Sequence, residues 1–562
     1  MITLGLSAFS HDSSACMLKD GRLLSAAEEE RFTRKKHTGD MPEHAINHCV
    51  QDAGLLFSDI DNVAFFERPY LKFARVILDH AEMYPFSLRR FLDSIPQWLD
   101  QRLSVPDLLE QLGIEKKIYF VPHHLSHAAS AYYPSGFEEA ALLTIDGVGE
   151  WSSVGRGIAR GNDLQLTKEI RYPHSLGLLY TAVTTYLGFR AHGEEGKVMA
   201  LAALGSPTQL AGLKKVVQLR EDGSFRLDGD YFAFRAGRRM WSASFEALFG
   251  VPKKREEPFL QRHYDLAASL QKLLEEAIVT ICRDLHQETG LTRLCLAGGV
   301  ALNCLANQRI LEDTPFRELF VQPAPGDSGA AVGAGLFVQH SLHKVKERHR
   351  WSNTYFGPAF TEREITRAIK NAGFPFEKLE GELMTERLAM ELHAEKIVGW
   401  FQGRMEFGPR ALGNRSILAS ACSGKTKDLL NLKVKDRDSF QPFAPIVPAA
   451  RANEFFHLGV PSPFMLLAPR VREEMRSLLP AITHFDGTAR VQTLARAENE
   501  RLHDLLEAFG QLSGAPVLVN TSFNGNNEPI VCTPEDAIQC FDKNGLDLLV
   551  LGDFLVRRKE GA

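Results

Sequence analysis

The sequence predicts an α/β protein with more than one domain. Short apolar stretches typical of buried strands alternate with amphipathic helical patterns, and glycine-rich turns follow several of the strands. The length of 562 residues corresponds to two to four domains at roughly 100–200 residues each. Hydrophobic residues make up 44% of the chain and charged residues 24%, which excludes the disordered and fibrous classes.

The first elements are predicted to be β-strands at residues 2–9, 15–19 and 23–28. The dipeptide Asp20–Gly21, between the last two strands, is a preferred hairpin turn. A helix is expected from Pro42 to Gly54, because proline suits a first helical turn and glycine suits a helix end. Further buried strands are predicted at residues 118–121, 140–145 and 293–296.

A long amphipathic helix is predicted over residues 265–288, with Asp265 as its N-cap and Gly290 just past its end. Its apolar residues share one face: Leu266, Leu270, Leu273, Leu274, Ala277, Ile278, Ile281 and Leu285. A polar, Gly-Pro-containing stretch near residues 351–360 then precedes a fresh helix at 362–372. The predicted domains are therefore residues 1–355 and 356–562, and the sequence contains no convincing internal repeat.

Composition also excludes several classes of function. Lys and Arg number 65 against 70 Asp and Glu, so the formal charge is −5 and no basic excess points to nucleic-acid binding. No apolar run reaches the ~18 residues needed to span a membrane, and the first residues lack the features of a signal peptide. The eight cysteines form no Cys-x-x-Cys pair, which indicates reduced, structural thiols. A cytoplasmic protein is expected.

The first motif that suggests chemistry is a run of histidines at residues 123–127, followed by Asp146 at the end of an apolar strand. On a helix, His123 and His127 share a face, so both imidazoles could bind one ion, whereas His124 points elsewhere. Two imidazoles with carboxylates suit Fe, Mn or Zn better than Ca. The alternative is an ordinary helical pair of histidines.

Two glycine-rich segments follow predicted strands. Residues 296–303 read Leu-Ala-Gly-Gly-Val-Ala-Leu-Asn, and residues 325–331 read Pro-Gly-Asp-Ser-Gly-Ala-Ala. Such turns let backbone N–H groups approach a phosphate, although many are purely structural. Residues 423–426, Ser-Gly-Lys-Thr, look like the end of a P-loop, but Ala419 stands where a glycine is needed. A solvated loop is predicted there.

The C-terminal part contains basic residues among glycines, prolines and aromatics. This context favours a rigid anion pocket, since arginine binds phosphate in a planar, bidentate manner and lysine supplies a point charge. A basic surface face is the alternative. The candidates are Arg404, Arg410, Arg415, Lys433, Lys435 and Arg437.

Taken together, these motifs resemble the O-carbamoyltransferases of nodulation-factor and antibiotic biosynthesis. The resemblance covers nearly the whole chain and is carried by the residues at 5–15, 28–37, 123–127, 193–199, 298–303, 405–415 and 520–524. It implies an N-terminal actin/sugar-kinase-like ATPase fold, similar to the metal-containing subunit of tRNA threonylcarbamoylation. It also implies a C-terminal YrdC-like α/β domain that forms carbamoyl-adenylate.

The resemblance also implies an activity and a set of functional residues. Carbamoyl phosphate and ATP, with Mg²⁺, would give carbamoyl-adenylate, whose carbamoyl group passes to the hydroxyl of a small acceptor with release of AMP. By resemblance the catalytic base is His11, and the metal is held by His123, His127, Asp146 and Asp327. The resemblance favours Fe²⁺ as this metal and leaves Mn or Zn as alternatives. The implied nucleotide contacts are Gly147, Lys197, Gly298, Gly299 and Asn303, and the implied carbamoyl phosphate contacts are Arg410, Lys435, Arg490 and Asn520.

The chain departs from the family pattern at two positions. Gln441 stands where the family usually has arginine, and Asn526 where it often has a basic residue. Each missing contact removes about 1.5–3 kcal/mol of phosphate binding, for which Arg437 or Lys433 could compensate. Rival functions are a small-molecule kinase, a metal-dependent hydrolase and a nucleotide-gated binding module.

The sequence leaves the acceptor and the oligomeric state open. The acceptor could be a sugar, an aminoglycoside, a macrolide or a polyketide, and both a monomer and a homodimer are consistent with the chain. Specificity is expected in insertions such as residues 222–257, an aromatic and basic segment that could equally be a packed excursion.

Overall fold

The computed structural model describes residues 1–235, 239–435, 437 and 440–558. The chain divides into two compact units. The first unit comprises Met1–Glu29 and His37–Trp351, and the second comprises Glu30–Lys36 and Ser352–Ala562. A short N-terminal segment therefore belongs to the C-terminal unit.

The first unit contains two five-stranded sheets with the same topology. In each sheet the first strand is central, two antiparallel strands follow on one side, and two parallel strands lie on the other. One sheet has the order β3 (Arg22–Glu28), β2 (Ser14–Lys19), β1 (Ile2–Ser7), β4 (Asn62–Phe65), β5 (Lys117–Phe120). The other has the order β8 (Asp163–Arg171), β7 (Ser152–Arg160), β6 (Glu139–Ile145), β11 (Arg293–Ala297), β12 (Glu318–Val321), and a hairpin pairs β9 (Val217–Leu219) with β10 (Phe225–Leu227).

The helices of the first unit connect these strands and cover the sheets. They are α2 (Glu43–Asp52), α3 (Pro69–Glu82), α4 (Leu88–Gln97), α5 (Val105–Gln111), α6 (His123–Tyr132), α7 (Leu176–Tyr186), α8 (Glu195–Ala202), α9 (Leu210–Val216), α10 (Ala243–Phe249), α11 (Gln261–Thr289), α12 (Cys304–Asp313) and α13 (Asp327–Leu336). The duplicated topology places α6 and α13 in equivalent positions, each directly after the fifth strand of its sheet. These two helices pack against each other.

Glycine allows this close approach of α6 and α13. A Cβ atom added at Gly333 of α13 would overlap the backbone carbonyl oxygen of Ser126 in α6. A side chain at this position would push the helices apart, and Asp327, the first residue of α13, would move with its helix.

Two of the sequence predictions for local structure are wrong. The long helix α11 begins at Gln261, not at Asp265, because the Asp265 carboxylate accepts hydrogen bonds from the Ser206 amide and the Thr208 hydroxyl instead of capping the helix. Residues 423–426 are not a solvated loop, since a short helix begins at Gly424 and Thr426 is buried. The predicted apolar face of α11 is confirmed, because all eight of its apolar residues are buried.

The predicted insertion is packed rather than projecting. Phe234, Phe245 and Phe249 are buried, and Phe245 stacks edge-on against Tyr186 of α7 at 5.1 Å between ring centroids. Residues 236–238 of this segment lie outside the described residues. Most of its aromatic side chains therefore stabilise the unit.

The second unit is built on one mixed sheet of eight strands. Their order is β13 (Phe376–Lys378), β20 (Phe554–Arg557), β19 (Leu548–Leu551), β14 (Val398–Phe401), β15 (Arg415–Ser420), β18 (Leu518–Ser522), β16 (Ala444–Pro448), β17 (Gln492–Leu494). Its helices are α1 (Glu30–Thr33), α14 (Glu362–Ala372), α15 (Gly381–His393), α16 (Gly424–Leu429), α17 (Ala452–Phe455), α18 (Glu500–Ser513) and α19 (Pro534–Lys543).

Hydrogen bonds hold the N-terminal segment in this unit. Arg31 donates to the carbonyl oxygen of Gly408 at 2.9 Å, and Arg34 donates to those of Pro529 and Ile530 at 2.9 and 2.7 Å. The segment thus contacts the same loop that contains Arg410.

Both units are α/β, so the predicted α/β class is confirmed, and the actin/sugar-kinase-like and YrdC-like folds stay what the resemblance implies. Within the described ranges, the helices are too short or too polar to cross a membrane. The eight cysteines are free, and seven of them are buried. Burial raises the pKa of Cys295 to about 12 and that of Cys540 to about 11, so these thiols are not activated.

The contact between α6 and α13 predicts the effect of an alanine substitution. Gly333→Ala should destabilise the protein by about 1–3 kcal/mol, as expected for overpacking against backbone. Gly196→Ala is a matched control, because Gly196 also lies in a helix but has open space around its Cβ position, and alanine there should stabilise by up to ~1 kcal/mol. Thermal unfolding of both variants checks this, and equal Tm values would contradict it.

Candidate metal centre and active site

Four side chains converge on one buried point of the first unit. His123 and His127 lie one turn apart on α6, Asp146 directly follows β6, and Asp327 is the first residue of α13. Three elements that are far apart in sequence thus supply the group, and all four side chains are almost inaccessible to solvent. The four residues implied by the family resemblance are brought together.

The distances fit a small metal ion. The Nε2 atoms of His123 and His127 are 3.1 Å apart, and Asp146 Oδ2 lies 2.9 and 3.5 Å from them. Asp327 Oδ1 lies 3.7 and 3.6 Å from the same two nitrogen atoms. Ligand atoms ~2.1 Å from a tetrahedral metal are about 3.4 Å from one another, so these separations match a four-ligand site.

Hydrogen bonding distinguishes this group from its neighbour His124. Among the described residues, Asp327 Oδ1 is buried with no hydrogen-bond partner, although it faces both imidazoles. A buried anionic oxygen of this kind fits a cation. Both nitrogens of His124 are used instead, by the Thr144 hydroxyl at 2.7 Å and the Ser152 carbonyl oxygen at 2.8 Å. The prediction that His124 lies outside the group is confirmed.

The charges of neighbouring side chains shift the pKa values of this cluster more than burial does. Burial lowers the pKa of His127, but the neighbouring carboxylates of Asp146 and Asp327 raise it to about 9. Burial raises the pKa of Asp327, but the neighbouring imidazoles of His127 and His123 lower it to about 2. The pKa of Asp146 is held well below its usual range by the same imidazoles. Without a metal ion, the cluster therefore retains a proton that a cation would displace.

Backbone groups hold Asp146 in place. The Gly299 amide donates to Asp146 Oδ1 at 3.1 Å, and the Ser175 hydroxyl donates to the Gly147 carbonyl oxygen at 2.6 Å. Gly298 has φ of +93°, and a Cβ there would overlap the Ile145 carbonyl oxygen, so this turn requires glycine. Three predicted nucleotide contacts, Gly147, Gly298 and Gly299, thus surround a candidate metal ligand.

The other two predicted nucleotide contacts have partners within the protein. Lys197 Nζ lies 2.6 Å from a carboxylate oxygen of Glu194. Asn303 caps α12, and its side-chain amide exchanges hydrogen bonds of 2.8 and 3.0 Å with that of Gln271. Asn303 therefore has a structural task that its position in the glycine-rich motif does not suggest.

His11, the predicted base, lies in the turn after β1. Its Nδ1 atom is 3.0 Å from Asp12 Oδ2. Burial lowers the pKa of His11, but the hydrogen bond to Asp12 and the charges of Asp327, Asp12 and Asp146 raise it to about 10. Two of these charges belong to the four-residue cluster, so a cation bound there would lower this pKa.

Sequence reasoning missed several residues of this region. Asp12, His37 and His192 surround His11, and Glu150 accepts hydrogen bonds from the His123 amide at 3.1 and 3.2 Å. Asp12 and His37 stand inside the motifs on which the resemblance rests. Their pairing depends on tertiary contacts that the order of the motifs does not reveal.

In the second unit, the predicted anion contacts differ in their surroundings. Arg410 and Arg490 are half-buried. Asn520 is buried, its amide donates to Gln492 Oε1 at 2.7 Å, and its Oδ1 has no hydrogen-bond partner among the described residues. Lys435 Nζ donates to oxygens of Ser522 and Asn524 at 2.6–3.3 Å. Burial and the charge of Arg437 lower the pKa of Lys435 to about 7.

Arg415 is not part of an anion pocket. It is fully buried, and its guanidinium donates to the carbonyl oxygens of Gln402, Gly403, Asn414 and Pro358. The sequence suggested an anion ligand because the residue lies in a Gly-Asn-Arg context. It instead ties together the loops around the start of β15.

The two positions that depart from the family pattern differ in burial. Gln441 is buried, and its Nε2 has no hydrogen-bond partner among the described residues. Arg437 lies 4.5 Å over the ring of Phe443, and burial with the charge of Arg490 lowers its pKa to about 10. Lys433 and Asn526 are exposed. Arg437 is thus less exposed than Lys433, the other residue expected to compensate.

Two family models and several related proteins match this chain over most of its length. The family model described as carbamoyltransferase N-terminus matches residues 2–336, and that described as carbamoyltransferase C-terminus matches residues 389–558. An uncharacterized Synechocystis protein is 42% identical over 99% of this chain and 96% of its own. Nodulation protein NolNO of Sinorhizobium fredii is 39% identical over 98% and 79%. The 3'-hydroxymethylcephem-O-carbamoyltransferase of Amycolatopsis lactamdurans is 30% identical over 80% and 82%.

The geometry of the cluster predicts which histidines a metal ion needs. His127→Ala should lower the content of bound divalent metal at least ~10-fold, because it removes one of four ligands. His124→Ala should lower the Tm, since it breaks two buried hydrogen bonds, but should leave the metal content unchanged. Elemental analysis of the folded proteins checks both, and equal metal loss in the two variants would contradict the assignment.

The pKa shifts of His127 and Asp327 predict how the stability of the metal-free protein depends on pH. The raised pKa of His127, about 9, stabilises the metal-free protein fully below its unfolded pKa near 6.5, and this stability is lost as pH rises through 9. The lowered pKa of Asp327, about 2, contributes above its unfolded value near 3.8 and is lost toward pH 2.

Metal binding requires neutral imidazoles, so the Tm difference between metal-loaded and chelator-treated protein should widen from pH 6.5 to 9. Thermal unfolding of both forms across this range is the measurement. A difference that shrinks with rising pH would contradict the ligand set.

Proposed function

The chain belongs to the carbamoyltransferase family, and we propose that it is an ATP-dependent O-carbamoyltransferase acting on a hydroxyl of a sugar or natural-product acceptor. The observation that carries this proposal is the buried group of two imidazoles and two carboxylates in the first unit. A divalent metal held by these four side chains would offset the negative charge of an adenylate and of the departing AMP.

The proposed reaction has two stages. Water first releases phosphate from carbamoyl phosphate, and an oxygen of the resulting carbamate attacks the α-phosphorus of ATP, with pyrophosphate leaving. The acceptor hydroxyl then attacks the carbamoyl carbon, and the bond from that carbon to the AMP oxygen breaks. Adenylation is required because carbamate is a poor electrophile with no good leaving group.

For the transfer stage we assign roles to residues of the first unit. His123, His127, Asp146 and Asp327 would hold a divalent metal, Fe²⁺ by resemblance, which supplies Lewis-acid stabilisation of phosphate charge when bound. The turns at Gly147 and at Gly298–Gly299 and the side chain of Lys197 would contact the nucleotide, whereas Asn303 would support the second turn by capping α12. His11 Nε2 would take the proton of the acceptor hydroxyl.

For the first stage we assign the basic side chains of the second unit. Arg410 and Arg490 would bind the phosphate of carbamoyl phosphate, and the unpartnered Oδ1 of Asn520 could accept from its carbamoyl NH₂ group. Lys435 would contribute positive charge while holding Ser522 and Asn524 in position. The positive charges of Arg437 and Arg490 repel each other, which lowers the pKa of Arg437. A bound anion would offset this repulsion.

The products formed from nucleotide test this proposal. Purified protein with ATP, Mg²⁺, Fe²⁺ and carbamoyl phosphate should yield pyrophosphate and AMP only when carbamoyl phosphate is present. Candidate acceptors such as glucosamine and an aminoglycoside should accelerate AMP release. ADP as the product would indicate a kinase, and no turnover would favour a nucleotide-gated binding module.

Variants should separate the two stages. His123→Ala should abolish carbamoyl transfer but leave pyrophosphate formation within about twofold. Arg490→Gln should reduce pyrophosphate formation by roughly 10- to 100-fold, the equivalent of losing one charge-assisted contact. Lys433→Gln, which changes an exposed neighbour of the site, is the matched control and should have no effect. Transfer activity in His123→Ala would contradict the metal assignment.

A further inference from the structure

The surroundings of His11 contain three side chains to which no role has yet been assigned. Asp12 follows it in the chain, His37 comes from a loop before α2, and His192 comes from the loop between α7 and α8. All belong to the first unit. Their contacts with one another determine how the imidazole of His11 is presented.

Asp12 bridges two imidazoles. Its Oδ2 lies 3.0 Å from His11 Nδ1, and its Oδ1 lies 2.7 Å from His37 Nδ1. A carboxylate only accepts, so both Nδ1 atoms carry the hydrogen. When His11 is neutral, its Nε2 is then the atom with the free lone pair, which is the state a base requires. His37 holds the second oxygen and so limits rotation of the carboxylate.

The backbone conformation of Asp12 is one that aspartate adopts readily. Asp12 has φ of +63°, in the left-handed region that only glycine, asparagine and aspartate adopt readily. This conformation turns the carboxylate back toward the ring of the preceding residue. An asparagine can keep the same backbone and removes only the charge, which makes it a suitable probe.

The other side of His11 contacts His192. The two rings stack with centroids 5.3 Å apart and planes inclined at 27°. His192 also has a positive φ of +57°, and the Glu195 carboxylate holds its turn by accepting from the amides of His192 and Gly193 at 2.9 and 2.7 Å. A Cβ at Gly193 would lie 2.6 Å from His37 Nε2, so the missing side chain leaves room for that ring.

We propose that Asp12 is the positioning residue of the carbamoyl-transfer step: held by His37, it orients His11 and selects the tautomer that presents Nε2 to the acceptor hydroxyl. This proposal rests on the role of His11 proposed above. In the step, the hydroxyl proton moves to His11 Nε2, the acceptor oxygen bonds to the carbamoyl carbon, and the carbon–oxygen bond to AMP breaks. The electron pair of that bond stays on the AMP oxygen, and water later removes the proton from the imidazolium.

Several charged and titratable groups act on His11. Asp12, Asp146 and Asp327 favour its protonated form, and His192, stacked on it, disfavours charge when it is itself protonated. Of these three carboxylates, Asp12 is the one that accepts a hydrogen bond from the His11 ring. Removing its charge should therefore change both the protonation of His11 and the preference between its two nitrogens.

The test compares Asp12→Asn with Asp20→Asn. Asp20 is exposed, has φ of +50° and lies in the turn between β2 and β3, so its substitution controls for the same chemical change on the same type of backbone. The first measurement is carbethoxylation of His11 by diethyl pyrocarbonate across pH, followed by peptide mass spectrometry. This reagent attacks only neutral imidazole, and no substrate is needed.

We expect the midpoint for His11 to fall by at least one pH unit in Asp12→Asn, with about 10-fold faster modification at pH 7, and to stay unchanged in Asp20→Asn. A merely structural role of Asp12 would not shift this midpoint. An unchanged midpoint in folded Asp12→Asn would overturn the proposal.

The second measurement separates the two stages, with water as the acceptor. AMP release should fall about 100-fold or more in Asp12→Asn, while pyrophosphate formation and the KM values for ATP and carbamoyl phosphate stay unchanged. Equal AMP release by the two variants would also overturn the proposal. If the unmodified protein forms neither pyrophosphate nor AMP, the proposed function fails instead, and carbethoxylation still decides whether Asp12 controls His11.

Discussion

The close packing of α6 against α13 is the constraint on which the candidate metal centre depends. One helix carries His123 and His127 and the other begins with Asp327, so their separation determines whether the ligand atoms lie within coordination distance. Gly333 permits that separation, because any side chain would meet the backbone of α6. The duplicated sheets supply the rest of the geometry, since each helix follows the last strand of its own sheet.

Burying the four charged side chains of the cluster costs desolvation free energy unless their charges balance. Two carboxylates and two imidazoles removed from water are stabilised by one another, which raises the pKa of His127 and lowers that of Asp327. A divalent cation would replace the proton that the cluster retains and would contact the unpartnered oxygen of Asp327. The same charges act on His11, so binding of a cation and the basicity of that histidine are linked.

The second unit concentrates positive charge, whereas the cluster of the first unit contains two carboxylates. Lys435 is buried and Arg437 is half-buried, and burial and neighbouring positive charge lower the pKa values of both side chains. Backbone and amide oxygens satisfy Lys435, and an aromatic ring supports Arg437. Positive charge concentrated in this way favours an anionic ligand, as the first unit favours a cation.

The sequence by itself determined the α/β class, several strands of the first unit, the apolar face of α11 and the i, i+4 pair of histidines, because these follow from local periodicity and from turn residues. Only the tertiary structure decided that Arg415 is a structural residue, since its carbonyl partners include Pro358 and Gln402. The same holds for Asp265, which binds the loop at Ser206 instead of capping its helix, and for Asp12, whose second partner is His37. A polar side chain satisfies its hydrogen bonds with whichever group the fold brings near it, and residues distant in sequence make that choice.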